Sequence, residues 1–129
     1  MTAVPARLKI LLVEDLEDDV FFFKRSFKRA EVDADLQVAM DGAKAIEYLS
    51  REGAPSPSVI FLDLKMPNQN GFEVLEWMRK NPRLSKTKIF ILTSSPEPRE
   101  RELAKELGAH DYFLKPLSAE QLREALDRA

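Results

Sequence analysis

The sequence predicts an α/β fold, one parallel sheet with helices on both faces, and three observations lead there. Short apolar runs alternate with amphipathic helical stretches from end to end, the pattern of repeated strand and helix units. Ile10-Leu-Leu-Val13 closes on Glu14 and Asp15, Val59-Ile-Phe-Leu62 on Asp63, and Tyr112-Phe-Leu114 on Lys115. Strands of a parallel sheet open their carboxyl ends into one crevice, so three acids and a lysine would meet there. The chain has 129 residues, 44% of them hydrophobic, which suits one domain with a single core and leaves no room for a second.

Each element has its own signal. Strand one runs from about Lys9 to Val13, and Asp18 and Asp19 place negative charge at the start of a helix reaching about Ala30, where the helix dipole favours it. Leu36 to Ala39 is a weak second strand. Asp41-Gly42 turns into a helix ending near Gly53, and Pro55 and Pro57 mark the loop before the Asp63 strand. The third helix spans about Gly71 to Asn81-Pro82, and Lys88 to Leu92 forms strand four. Pro96 and Pro98 precede a charged helix that Gly108 caps. The fifth strand ends at Lys115-Pro116, and Ser118 is the N-cap of a last helix reaching Arg128. Five strand and helix units account for the chain.

Composition removes several function classes. With no cysteine and one histidine, disulfides, thiolate sites and an ordinary structural zinc site drop out, so a bound metal would be hard and oxygen-liganded. No apolar stretch approaches the roughly 20 residues of a membrane span, and the N-terminus lacks the apolar centre of a signal peptide. The expectation is a cytoplasmic protein without membrane insertion. The net charge of −2 is spread over interspersed acids and bases, so no basic face points to nucleic acid.

Taken singly, the crevice residues have ordinary readings. Asp63 is then a strand-end cap, Glu14-Asp15 a solvated turn, Lys115 a solvated lysine and Thr93 a β-branched strand residue. Taken jointly they do not, because three like charges in one crevice raise each other's pKa unless a cation or lysine answers them. Glu14-Asp15 after strand one, Asp63 after strand three, Thr93-Ser94 after strand four and Lys115-Pro116 after strand five resemble the receiver domain of two-component response regulators, over about Lys9 to Arg128. Within that family the chain is similar to small stand-alone regulators paired with bacterial phytochromes. The resemblance implies a flavodoxin-like (βα)5 fold of strand order 2-1-3-4-5, one receiver domain over residues 1–129, and no output domain.

The same resemblance implies a mechanism. Asp63 is the phosphoacceptor, taking a phosphoryl group from a phosphohistidine to form an acyl phosphate. A carboxylate is a weak nucleophile, so the site must supply positioning and charge neutralisation. Mg2+ supplies both, held by Asp15, Asp63 and the backbone carbonyl of Lys65, with Glu14 acting through water. Lys115 pairs with Asp63 before transfer and with a phosphoryl oxygen after it, and Thr93 donates its hydroxyl to another. A cis bond between Lys115 and Pro116 aims the lysine inward. Thr93 and Tyr112 form the switch that reshapes the face made by helix four, strand five and helix five, the other reading of Tyr112 being an ordinary partly buried tyrosine on an outer strand. The implied partners are a sensor histidine kinase or histidine phosphotransfer protein, a downstream protein target and a second copy of the chain in a homodimer. The implied role is a phosphoacceptor that assists its own phosphorylation and dephosphorylation, not a turnover enzyme.

Two features depart from the commonest family pattern. Lys65 stands where a neutral polar residue is frequent, and its ammonium either lies across the phosphoryl group or points into solvent. Asn70 and Ser95 differ from one chemotaxis version of the family. Phe21-Phe22-Phe23 opens helix one: Phe23, Phe27 and Ala30 form a buried stripe with Phe22 and Ser26 beside it, and Phe21 is left over as either a kinase-docking residue or an ordinary exposed aromatic. Helix four buries only Leu103, Ala104 and Leu107 and should be loosely held. Rival functions are weaker. A haloacid-dehalogenase-like phosphatase needs a second acid where Lys65 stands, and a flavodoxin-like cofactor carrier needs a phosphate cradle where Leu16-Glu17-Asp18-Asp19 would repel phosphate. A receiver-like scaffold that works without phosphorylation remains the alternative.

Overall fold

The computed structural model describes residues 8–51, 53, 56–66, 70–94 and 96–127. In chain order the elements are β1 (Leu8–Val13), α1 (Glu17–Ala30), β2 (Ala34–Ala39), α2 (Gly42–Ser50), β3 (Val59–Leu62), α3 (Gly71–Arg79), a 3-10 turn (Pro82–Leu84), β4 (Lys88–Thr93), α4 (Pro98–Glu106), β5 (Asp111–Leu114) and α5 (Ala119–Asp127). The sheet is parallel with order β2-β1-β3-β4-β5, the flavodoxin-like arrangement that the resemblance implies.

Alternation along the strands divides the core in two. Leu11, Val13, Ile60, Leu62, Ile89 and Ile91 face α2, α3 and α4, where Leu49, Leu75 and Ala104 meet them. Ile10, Leu12, Val59, Phe61, Phe90 and Leu92 face α1 and α5, against Phe23 and Leu122. Phe23, Phe61, Phe90 and Phe113 form a row on this second face, with neighbouring ring centroids 5.1, 5.5 and 5.9 Å apart. The central strands are apolar on both sides because helices cover both.

Several boundaries move for identifiable reasons. β2 begins at Ala34, two residues before the apolar run, because pairing with β1 from Leu8↔Ala34 to Val13↔Ala39 carries exposed Asp35 and Gln37 into the ladder. α2 ends at Ser50, short of Gly53, as Arg51 turns extended. α3 ends at Arg79, and the chain passes through the 3-10 turn that Pro82 opens. Pro98 is the first residue of α4 rather than its prelude, a position where proline's missing N–H costs nothing. Gly108 closes α4 with φ +107°, and Ser118 caps α5 by accepting from the Gln121 N–H at 3.0 Å. Two side chains differ from expectation: Phe22 and Leu103 are exposed, since Val20, Phe23 and Ala30 fill the α1 seam and Ala104 alone among the helical residues of α4 is buried. Pro55, Ser95 and Arg128 lie outside the described residues. No described helix is long and apolar enough to cross a membrane.

Candidate functional site

The strand ladders position the site. Val13 pairs with Leu62, and the pattern continues one residue further: the Asp63 N–H donates to the Val13 carbonyl at 3.0 Å, the Glu14 N–H to Ala39 at 3.0 Å and the Lys115 N–H to Thr93 at 2.9 Å. By alternation Glu14, Asp63 and Lys115 follow Leu12, Phe61 and Phe113 on the α1/α5 side. Thr93 follows Ile91 toward the other side, where Tyr112 packs. Fully buried Thr93 therefore sits on the α3/α4 side of the sheet and the charged groups on the α1 side.

Glu14 and Asp63 are buried, and a buried carboxylate needs a partner. Both find it in Lys115, whose Nζ forms an ion pair with Glu14 Oε1 and lies 3.1 Å from Asp63 Oδ2. The bond between Lys115 and Pro116 is cis. A third carboxylate joins them: Asp19 Oδ2 accepts from the same ammonium at 2.8 Å. Sequence reading missed Asp19, because an acid in the first helical turn already has an adequate explanation in the helix dipole. The remaining oxygens are also engaged. Glu14 Oε2 accepts from the N–H groups of Asp15 at 2.9 Å and Leu16 at 3.2 Å, and Asp63 Oδ1 from that of Lys65 at 3.2 Å. Burial pushes the Glu14 carboxyl up from an ordinary 4.5 to about 7, against the pull of Lys115 and with the help of Asp63's charge. Burial alone would lower Lys115, but its hydrogen bonds to Asp19 and Glu14 and the charge of Asp63 outweigh that and hold it above the ordinary lysine value.

The acids fit a hard divalent cation. One oxygen each of Glu14, Asp15 and Asp63 lies within 4.8 Å of the others, and Asp15 Oδ1 is buried with no hydrogen-bond partner among the described residues. An orphaned anionic oxygen beside two more is the donor set that Mg2+ or a similar ion uses. The Lys65 side chain is directed outward. It is exposed, but its Nζ reaches Glu100 Oε1 of α4 at 3.6 Å. Tyr112 is half-buried with the Arg101 guanidinium 5.6 Å above its ring, and burial, then the charge of Glu100, raises its phenol above the usual value. Beside Lys115 opens a cleft of about 280 Å³ lined by Glu14, Asp19, Phe22, Ser94 and Leu117 among others, so Phe22 rather than Phe21 lines its wall.

A buried acid cluster gripping one lysine at the carboxyl end of a 2-1-3-4-5 sheet defines a phosphoacceptor class of α/β signalling domain. Residues 10–127 match the response regulator receiver domain, and the chain belongs to that family. Response regulator Rcp1 of Synechocystis sp. is 32% identical over 117 residues, covering 88% of this chain and 80% of Rcp1. The structure of the bacteriophytochrome response regulator RtBRR superimposes with a TM-score of 0.84 at 36% identity, over 95% of this chain and 77% of that one. The Mn2+-bound form of Rcp1 does so with a TM-score of 0.78 at 30% identity, over 94% of this chain and 90% of that one. Receiver domains bind a divalent metal and interact with histidine kinases and downstream targets.

Proposed function

We propose that this chain is a single receiver domain that accepts a phosphoryl group on Asp63 from a sensor histidine kinase or histidine phosphotransfer protein, with Mg2+ as its cation. The observation that carries this is the convergence of Glu14, Asp15 and Asp63 oxygens within 4.8 Å of one another, two of these acids also gripping the Lys115 ammonium and Asp15 Oδ1 lacking a hydrogen-bond partner among the described residues. Glu14, Asp15, Asp63 and the Lys65 carbonyl would hold the metal. When bound, Mg2+ supplies positive charge against the phosphoryl oxygens and orients the donor.

The chain's own residues do the rest. An oxygen of Asp63 attacks phosphorus, the phosphorus–nitrogen bond of the donor breaks, and the imidazole leaves with the bonding pair. Lys115, held protonated by its acids, transfers from Asp63 to a phosphoryl oxygen. Thr93, buried at the end of β4, donates its hydroxyl to another oxygen. As Thr93 shifts, Tyr112 turns toward the space behind it, and the α4, β5 and α5 face changes for a downstream protein or a second copy of the chain. The test is acetyl phosphate with Mg2+ followed by intact mass. One phosphoryl group should add to the wild type and none to Asp63→Asn or to metal-stripped protein. No mass gain in the wild type would leave the phosphorylation-independent scaffold as the better reading.

A further inference from the structure

Three carboxylates share one ammonium in the crevice, and only two of them belong to the metal cluster. Lys115 Nζ contacts Glu14, Asp19 and Asp63, whereas the oxygens that gather for a cation are those of Glu14, Asp15 and Asp63. Asp19 differs in origin too. It comes from the first turn of α1, not from a strand end, and its side chain is 28% exposed against 2% for Glu14 and 6% for Asp63.

The ammonium now neutralises the oxygens that a cation needs. Glu14 Oε1 and Asp63 Oδ2 lie on Lys115, while Glu14 Oε2 and Asp63 Oδ1 accept backbone N–H groups, so the lysine draws on the charge of two acids that a cation would share. A divalent ion and an ammonium held by the same acids repel each other. A lysine released from both, at the edge of a buried site, would lose its counter-charge at considerable cost. Asp19 Oδ2, 2.8 Å away on the side of the open cleft, offers that charge without competing for the metal.

We propose that Asp19 is a positioning residue for Lys115: it retains the ammonium at the crevice edge while Glu14 and Asp63 turn to a divalent cation, keeping the lysine within reach of the phosphoryl oxygen that forms on Asp63. This rests on the metal-assisted phosphoacceptor reading above. No bond is made or broken in the step; one ion pair is exchanged for another.

Calorimetric titration with Mg2+, repeated with Mn2+, tests it on the wild type, Asp19→Asn, Asp18→Asn, Lys115→Met and the Asp19→Asn/Lys115→Met double variant. Asp19→Asn should weaken Mg2+ binding about fivefold, a modest coupling for groups in one charge network. Asp18→Asn removes the same charge from an exposed neighbour in the same turn and should change binding much less. In the Lys115→Met background the effect of Asp19→Asn should vanish, since no ammonium is left to hold, and Asp19→Glu should recover part of the wild-type affinity. Equal effects of the two Asn variants, or an Asp19 effect undiminished without the lysine, would reduce Asp19 to a share of the general negative field and overturn the inference. If Lys115→Met fails to fold, the comparison with Asp18→Asn decides alone. A wild type that binds neither metal and takes no phosphoryl group overturns the functional reading instead, a distinct result.

Discussion

Asp63, the proposed phosphoacceptor, is held where it is partly by a side chain that is missing. A Cβ on Gly71 would fall onto the Asp63 carbonyl oxygen and come within 2.7 Å of Leu64 Cα, because the Gly71 N–H donates to the Leu64 carbonyl at 3.1 Å and draws α3 against the acceptor loop. Backbone cannot yield as a flexible side chain does, so Gly71→Ala should cost about 1–3 kcal/mol, the range for overpacked sites. Denaturant unfolding measures that cost, and acetyl phosphate labelling should slow alongside it; wild-type stability and labelling together would mean the loop gives way freely. In the sequence Gly71 reads only as a helix start, because its close approach to the Asp63 and Leu64 backbone, eight and seven residues back, is set by how α3 packs and not by local pattern. His110 shows a related blind spot. It begins the turn into β5, its Nδ1 accepting from the Ile89 N–H at 3.0 Å and its own N–H donating to the Ile89 carbonyl at 2.8 Å. Burial, then the charge of Lys88, lowers its pKa from 6.5. The unfolded chain therefore binds the proton more readily than the folded one, so this contribution to stability is present above pH 6.5 and is lost as pH falls through the depressed folded value. Thermal melts across that window should show a smaller loss for His110→Asn, which keeps an acceptor but no titration. An unchanged slope would remove the histidine from the pH dependence.

Among the elements, helix starts and the carboxyl ends of strands were the legible parts, and the ends of α2 and α3 and loosely packed faces the illegible ones. Apolar runs closing on acids located the carboxyl ends of β1 and β3 within a residue, and Asn70 and Ser118 cap α3 and α5 through reciprocal bonds with Glu73 and Gln121, a pattern that local chemistry dictates. α4 was harder, because a helix burying little leaves its rotation to tertiary contacts. Its exposed Leu103 illustrates this, and so does Glu100, which reaches back to Lys65 in the loop after β3. That pair ties the acceptor loop to the element expected to shift. Glu100 Oε2 is buried and has no hydrogen-bond partner among the described residues. At 3.6 Å, with its lysine exposed, the pair should contribute little to stability, about 1 kcal/mol or less, and its consequence should be kinetic. Lys65→Asn should change the rate of acyl-phosphate loss several-fold while leaving the melting temperature within a degree or so of wild type. Identical dephosphorylation in the two proteins would make Lys65 a solubilising residue and nothing more.

For the whole molecule, the sheet separates the charged crevice groups from Thr93 and Tyr112. Glu14, Asp63, Asp19 and Lys115 lie toward α1 and α5, whereas Thr93 and Tyr112 belong to the side of α3 and α4. The α1 side also carries the largest exposed apolar residues near the crevice. Phe21 is 62% exposed and Phe22 47%, their rings packed edge to face at 5.7 Å, with Leu16 beside the same helix start. Isolated exposed apolar residues are ordinary, but a paired aromatic at the mouth of a reactive cleft has the composition of an interface anchor. Phe22 lines the cleft and contributes to the site's shape, so Phe21 is the cleaner probe of docking. Phe21→Ala should leave labelling by acetyl phosphate intact, because a small donor needs no protein surface. Transfer from a phosphorylated histidine kinase or phosphotransfer protein should fall about tenfold, the loss of one anchor. Running both donors on one preparation separates the two contributions: equal rates from the protein donor would dismiss Phe21 as a docking residue, and loss with both donors would place its effect in the crevice itself.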